Sequence, residues 1–136
     1  MRAWVVALAL AGCRGSVRSG PIDIHGQFAF APVTRDEAAV YFTVVNHGGQ
    51  PDTLLGATCA CASGAAFHED LPTGMVMRQT VPIPSGDSLH LEPGGMHLML
   101  TALKQLPKAG DRLTLSLRFA RAGEIVLDVP VRPYAR

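Results

Sequence analysis

The chain has 136 residues, of which 48% are hydrophobic, and carries 12 basic and 11 acidic side chains. This length is enough for one domain and too short for two of ordinary size. The near balance of charge excludes the basic stripe that nucleic-acid binding requires, and it provides no polybasic patch for anionic lipid headgroups.

The N-terminal residues predict an exported lipoprotein. Arg2 supplies a short positive segment, and Ala3 to Ala11 form an apolar run of nine residues, too short to cross a bilayer, which needs about 20. Such a run is typical of a signal peptide. The following Leu-Ala-Gly-Cys resembles the bacterial lipobox, so we expect a signal peptide over 1–12 and acylation of Cys13. The protein would then be anchored by its acyl chains to the periplasmic or outer face of a bacterial membrane.

Short strands are predicted for the rest of the chain. Residues 13–20, the acylated terminus and a small polar segment, are expected to form a flexible tether, followed by one domain over 21–136. No long amphipathic helix is evident, and short apolar-alternating runs occur at 22–25, 38–45, 53–58, 65–69, 75–81, 88–92 and 96–103. Two further runs, 113–119 and 125–131, place their odd-numbered apolar residues on one face and predict a hairpin. Strands at about ten-residue spacing predict an all-β sandwich or barrel.

The clearest functional signal is the tripeptide His97-Leu98-Met99. Residues i and i+2 of a strand project from the same face, so an imidazole and a thioether stand side by side. His68 and Met77 form a second such pair upstream, across a Pro/Gly loop. Both ligand types are neutral, and thioether sulfur prefers Cu(I) to zinc, calcium or magnesium. The pattern predicts a copper site that needs no thiolate and therefore tolerates an oxidising compartment. The remaining residues of these types are expected to be exposed (His25, His47, His90) or to fill the core (Met96).

Several longer motifs accompany these residues: Gly74-Met-Val-Met-Arg78, Leu91-Glu-Pro-Gly-Gly-Met-His-Leu-Met-Leu100, Leu103-Lys104 and Gly110-Asp111. Together with Val44-Val45-Asn46 and Ala122-Gly123-Glu124, they resemble the periplasmic copper chaperones called PCu(A)C over roughly residues 22–131. The resemblance implies a cupredoxin-like β-barrel of Greek-key type with little or no helix. It also implies one Cu(I) per domain, held by His68, Met77, His97 and Met99. Delivery of that ion to the binuclear Cu(A) centre of cytochrome c oxidase subunit II is implied as well.

The spacing of the motifs departs from the family pattern. The intervals from His68 to Met77 and from Met77 to His97 are each about two residues shorter than is usual in the family. Met75 is therefore an alternative ligand, because two residues in an extended segment share a face when they are two apart. Met77 is preferred because it directly precedes Arg78, as in the family.

Cys59 and Cys61, in Thr-Cys-Ala-Cys-Ala, have no counterpart in the family pattern. They are free thiols, a disulfide or ligands of a secondary metal site. Two small buried residues at a strand end are the plainer alternative. A disulfide across one intervening residue closes a tight ring, and such bonds tend to be reducible rather than structural.

Two other functions could use the same residues. A blue-copper electron carrier needs a thiolate, two histidines and a long axial methionine; Cys61 and His68 are available, but the tight Cys-His-Met loop of such carriers is missing. A thiol–disulfide assembly factor would use Cys59 and Cys61 on a partner protein. No enzyme is predicted, because the sequence has no Gly-x-Ser-x-Gly, His-Glu-x-x-His or Cys-x-x-Cys motif.

Overall fold

Eleven strands and no helix make up residues 15–134, the part of the chain that the computed structural model describes. The strands are β1 (Val17–Ser19), β2 (Ile22–Phe30), β3 (Glu37–Asn46), β4 (Asp52–Cys59), β5 (Ala62–Leu71), β6 (Gly74–Arg78), β7 (Val81–Ile83), β8 (Ser88–Leu91), β9 (Met96–Leu103), β10 (Arg112–Phe119) and β11 (Gly123–Arg132). The all-β prediction is confirmed. Residues 15–134 contain no helix with the length and apolar character needed to cross a membrane. The expected signal peptide and Cys13 lie outside the described residues.

The strands form two layers joined along one edge. One layer contains β6, β5, β9, β3 and β2 in that spatial order, with β8 beside β3 and β9; the other contains β11, β10, β4 and β7. The layers are continuous where β11 pairs in parallel with β2, placing Val131 opposite Ala29. The sheet thereby curls into a barrel-like sandwich around one apolar core.

The core follows from the period-two apolar pattern of the strands. Leu115 of β10 lies opposite Leu127 of β11, and both side chains are fully buried. The other odd-numbered apolar residues of this hairpin, 113, 117, 119, 125, 129 and 131, are buried too. Gly123 closes the turn with a φ of 76°, a backbone conformation that side-chain-bearing residues seldom adopt. The predicted hairpin is confirmed.

Two segments differ from their predictions. The expected tether contributes β1, in which Val17 lies opposite Ile24 of β2 and packs against the core; burial of this apolar side chain extends the ordered domain towards the N-terminus. The single strand predicted at 75–81 is two strands in different layers, since β6 pairs with β5 and β7 pairs with β4. The chain changes layer because Val81 and Ile83 enter the core, whereas every residue of β6 is exposed.

Candidate metal centre

Three neighbouring strands place the predicted metal ligands on one outward face. His68 of β5 lies directly opposite His97 of β9 on one side and opposite Met77 of β6 on the other. Met99 follows His97 by two residues in β9 and therefore shares its face. Leu98, between them, points the other way and is fully buried in the core. The strand register thus brings together all four residues singled out in the sequence.

The two imidazole rings are close neighbours. Their centroids are 5.6 Å apart, and the ring planes are inclined at 73°. His97 is only 6% exposed, and its Nδ1 lies 3.3 Å from the carbonyl oxygen of Gly95. When Nδ1 donates this hydrogen bond, the lone pair on Nε2 is free for a metal ion. Metal-binding histidines commonly have such a partner on the second ring nitrogen.

His68 has a polar atom without a partner. Its Nδ1 is buried and has no hydrogen-bond partner among the described residues. Leaving such an atom unsatisfied costs about 1–3 kcal/mol. A metal ion bound at Nδ1 of His68 would satisfy this atom and offset the cost.

The two thioethers differ in their surroundings. Met77 lies on an edge strand and is 65% exposed. Met99 is half-buried and lies between Ala39 of β3 and Ala66 of β5. These neighbours carry only methyl groups on the shared face, so the long side chain of Met99 has room beside them. One sulfur donor is therefore open to solvent and the other is sheltered.

An ion pair between Arg78 and Glu69, on the face of the β5–β6 pair opposite to Met77, helps to hold Met77 in position. Arg78 donates from Nε to Oε2 of Glu69 at 2.8 Å, and its Nη2 lies 2.7 Å from the same oxygen. Since Arg78 belongs to β6 and Glu69 to β5, the pair holds the two strands in the register that sets Met77 opposite His68. The exposed geometry limits its contribution to stability to about 1 kcal/mol or less.

Methionine provides the soft donors of this face. Within residues 15–134, no three His, Cys, Asp or Glu side chains are grouped closely enough to hold a metal ion. An ion bound by His68 and His97 must therefore complete its coordination with thioether sulfur or solvent. Soft sulfur donors select Cu(I) among the common biological metals.

An aromatic cluster borders His97 on the side away from His68. Tyr41 of β3 lies 6.5 Å from the His97 ring, centroid to centroid, and packs against Phe28 and Phe30 of β2. Burial raises the pKa of Tyr41 above its usual 10.0, and the charge of Asp70 adds to this rise. Tyr41 is thus a neutral phenol at neutral pH. No sequence signal indicates this residue, because only the β3–β9 pairing brings it to the histidine.

Cys59 and Cys61 lie away from this face and form a disulfide at the turn between β4 and β5. Of the alternatives for these cysteines, the structure shows the disulfide. The alternative of a secondary metal site at these cysteines does not fit this state, because bonded sulfurs are not thiolates. A blue-copper site that combines Cys61 with His68 is excluded by distance, because His68 lies seven positions further along the extended chain, about 20 Å from Cys61.

The remaining histidines take no part in the candidate metal centre. His25, His47 and His90 are exposed, as expected. His90 approaches Thr43 Oγ1 at 3.3 Å through its Nδ1, and Nε2 of His47 lies 3.8 Å from a carboxylate oxygen of Asp23. Met96 packs partly against the core, in agreement with its expected role.

The fold and this histidine–methionine face define a small β-barrel domain of the PCuAC type. Residues 22–131 match the family described as "Putative lipoprotein LpqE-like", and the chain belongs to this LpqE-like family. The relative "Putative lipoprotein Lxx21020" from Leifsonia xyli subsp. xyli is 33% identical over 102 residues. That match covers 71% of this chain and 61% of the relative, so the chain spans less than two thirds of that protein's length.

Solved structures share the fold. The copper-bound PCuAC domain from PmoF2 superimposes with a TM-score of 0.79 and 26% identity, covering 88% of this chain and 98% of that domain. The solution structure of CuI-DR1885 from Deinococcus radiodurans superimposes with a TM-score of 0.70 and 25% identity, covering 96% of this chain and 88% of that one. The resemblance to PCuAC proteins and the cupredoxin-like fold that it implied are confirmed.

Proposed function

We propose that the protein is a metallochaperone that binds one Cu(I) outside the cytoplasm through His68, Met77, His97 and Met99. The observation that carries the proposal is the facing pair His68 and His97, with ring centroids 5.6 Å apart and a methionine beside each histidine on the same face. The proposal is supported by two similar solved proteins, which are described as copper-bound and as Cu(I)-bound.

The ligand set suits binding followed by release. Two imidazoles and two thioethers are neutral, so the bound ion keeps its single positive charge and no thiolate is exposed to oxidation. A thioether needs no proton when it leaves the metal, unlike a thiolate or a carboxylate. Met77, at 65% exposure, is the ligand that an incoming donor reaches first. Ligand exchange would therefore begin at Met77 and end with release from the buried His97.

The recipient that we propose is the Cu(A) centre of cytochrome c oxidase subunit II. The motif resemblance to PCu(A)C proteins supports this assignment. Acylation at Cys13 would hold the domain at the extracytoplasmic face of the bacterial membrane, and the lipoprotein description of the family agrees with such an anchor. Anchoring on the same surface as a membrane-bound oxidase would raise the effective concentration of the two partners.

A competition titration with a Cu(I) chelator tests the binding step. The wild-type chain is expected to take up one equivalent, and the His68→Ala/His97→Ala variant is expected to lose this site. His47→Ala/His90→Ala is the matched control, because it removes two exposed histidines outside the candidate metal centre. Wild-type affinity in the first variant, with its fold verified by circular dichroism, would refute the proposed site.

A transfer experiment tests the recipient separately. Cu(I)-loaded chain is mixed with the apo form of the soluble domain of oxidase subunit II, and the copper content of each protein is measured after separation. Movement of copper to subunit II supports the delivery step. Retention of copper by this chain would refute delivery to that partner while leaving the binding site intact.

A further inference from the structure

The Cys59–Cys61 disulfide borders an open groove of about 490 Å³ at the opposite end of β5 from the candidate metal centre. Cys61 forms part of the groove wall, together with Lys104, Leu106 and Arg112; Cys59 is not among the residues that line it. Both cysteines are half-buried, and Cys61 is the one of the two that a molecule in the groove would approach. The copper-binding residues contribute nothing to this surface.

A backbone hydrogen bond distinguishes the two sulfurs. The N–H of Cys61 donates to Sγ of Cys59 at 3.2 Å. Hydrogen-bond donors stabilise a thiolate and lower the pKa of its thiol, and a thiol of lower pKa leaves faster in disulfide exchange. When a thiolate in the groove attacks Sγ of Cys61, the leaving group is therefore Sγ of Cys59, whose negative charge the N–H of Cys61 stabilises.

The fold does not depend on this bond. Cross-links stabilise proteins chiefly by restricting the unfolded chain, and the effect is smallest for short loops. Here the loop contains a single residue between the cysteines. The same turn is held by the backbone hydrogen bond from Lys104 N–H to Cys61 C=O, 2.9 Å, and by the pairing of β4 with β10 and of β5 with β9. The reduced chain can therefore keep its structure.

We propose that Cys59 and Cys61 form a thiol–disulfide exchange site that oxidises a dithiol of a partner protein. A partner thiolate attacks Sγ of Cys61, the bond to Cys59 breaks, and Cys59 leaves as a thiolate that takes up a proton. The second partner thiolate then attacks the mixed disulfide and releases Cys61, which is also protonated. Two electrons and two protons pass from the dithiol to this chain, and the partner keeps the new disulfide.

The groove is lined by two basic residues, Lys104 and Arg112, and one acidic residue, Asp111. The carboxylate of Asp111 accepts a hydrogen bond from the N–H of Lys108 at 2.9 Å, and Arg112 is paired with Asp128 at 2.7 Å. Lys104 is in no ion pair within residues 15–134 and lies in the same groove as Cys61. Its ammonium group would attract an approaching thiolate, and the effect would weaken as salt is added. Leu106 supplies an apolar surface for the carbon chain of the dithiol segment.

The test uses a peptide with a reduced Cys-x-x-Cys dithiol as the probe and the full chain as the oxidant. After incubation, free thiols are alkylated and located by peptide mass spectrometry, which separates Cys59 and Cys61 from Cys13. The wild-type chain is expected to oxidise the peptide in a one-to-one ratio, and Cys59→Ser/Cys61→Ser is expected to oxidise none. Lys104→Ala should slow the reaction severalfold at low salt, whereas Lys108→Ala, outside the groove lining, should leave the rate unchanged.

The point of attack is tested by treating the oxidised wild-type chain with reduced glutathione, alkylating the free thiols and locating the mixed disulfide by tandem mass spectrometry. Glutathione is expected predominantly on Cys61, with Cys59 alkylated. Equal amounts of glutathione on the two cysteines would refute the assignment of Cys61. A wild-type disulfide that survives an excess of the dithiol peptide would refute the exchange site. Circular dichroism of Cys59→Ser/Cys61→Ser verifies that its fold is intact, and dithiol oxidation by His68→Ala/His97→Ala shows that the two sites are separate.

Discussion

Met77 and His68 face each other across the pairing of β6 with β5, whereas Met75, on the same side of β6, faces Asp70. The sequence alone left these two methionines as alternative ligands, because they share a face in any extended segment. Register separates them: only Met77 has a histidine as its direct neighbour across the pair. We therefore expect Met77 to be a copper ligand and Met75 not to be one.

Met77→Ala is expected to weaken Cu(I) binding by at least about tenfold, a loss of about 1.4 kcal/mol or more in binding free energy. Met75→Ala, with a side chain of nearly equal exposure (61% against 65%), is the matched control and should change the affinity by less than about twofold. Competition titration of both variants measures the difference. A larger loss in Met75→Ala would exchange the roles of the two residues.

Met99→Ala is expected to weaken Cu(I) binding and to leave the fold intact, because Met99 lies on the outward face beside His97. Met96→Ala in the same strand should have the opposite profile, since Met96 packs partly against the core. Chelator competition gives the affinity of each variant, and denaturant unfolding gives its stability. Unchanged Cu(I) affinity in Met99→Ala would remove that residue from the ligand set.

The raised pKa of Tyr41 predicts a loss of stability in alkali. Burial, and then the charge of Asp70, keep the phenol protonated in the folded chain at pH values where the unfolded chain has lost the proton. The contribution of Tyr41 is therefore constant below about pH 10 and disappears as the pH rises through the pKa of the folded state. Tyr41→Phe should lack this component of the alkaline loss in denaturant unfolding.

The contribution of Asp70 to the raised pKa of Tyr41 is measured with a separate variant. Asp70→Asn should lower the pKa of Tyr41 towards its usual value, which an ultraviolet absorbance titration of the tyrosinate detects. Comparison with Tyr41→Phe isolates the signal of Tyr41 from that of Tyr134. An unchanged titration in Asp70→Asn would show that the charge of Asp70 does not contribute to the raised pKa.

Leu115→Ala is expected to cost about 2–5 kcal/mol of unfolding free energy, because the side chain is fully buried between the two layers. Val126→Ala in the same hairpin, where the side chain is 56% exposed, should change stability by about 0.5 kcal/mol or less. Neither substitution touches the histidine–methionine face. Cu(I) affinity of the folded fraction should therefore be unchanged in both variants.

Much of the fold could be predicted because its signals are local. The 113–131 hairpin follows from strict alternation around a glycine turn, and Met96–Leu103 was predicted with the bounds that the structure has. The pairing of His97 with Met99 on one face depends only on the two-residue period of a strand. These features need no knowledge of which strands are neighbours.

The rest depends on long-range contacts. The division of 75–81 into β6 and β7 arises because the second half of this segment enters the core beside β4. Tyr41 reaches His97 only because β3 lies next to β9, and β1 is ordered only because β2 offers it an edge. The bond between Cys59 and Cys61 was one of several alternatives that spacing left open. Contacts between segments that are distant in sequence cannot be predicted from the apolar periodicity of either segment alone.

X-ray absorption spectroscopy of the Cu(I)-loaded chain is the decisive experiment for the histidine–methionine site, because it identifies the atoms bound to the metal. We expect a first shell of two nitrogen and two sulfur atoms, with the sulfur contribution lost in Met77→Ala/Met99→Ala and unchanged in Cys59→Ser/Cys61→Ser. A shell without sulfur, or sulfur that disappears with the cysteines and persists without the methionines, would contradict binding of Cu(I) by the histidine–methionine face.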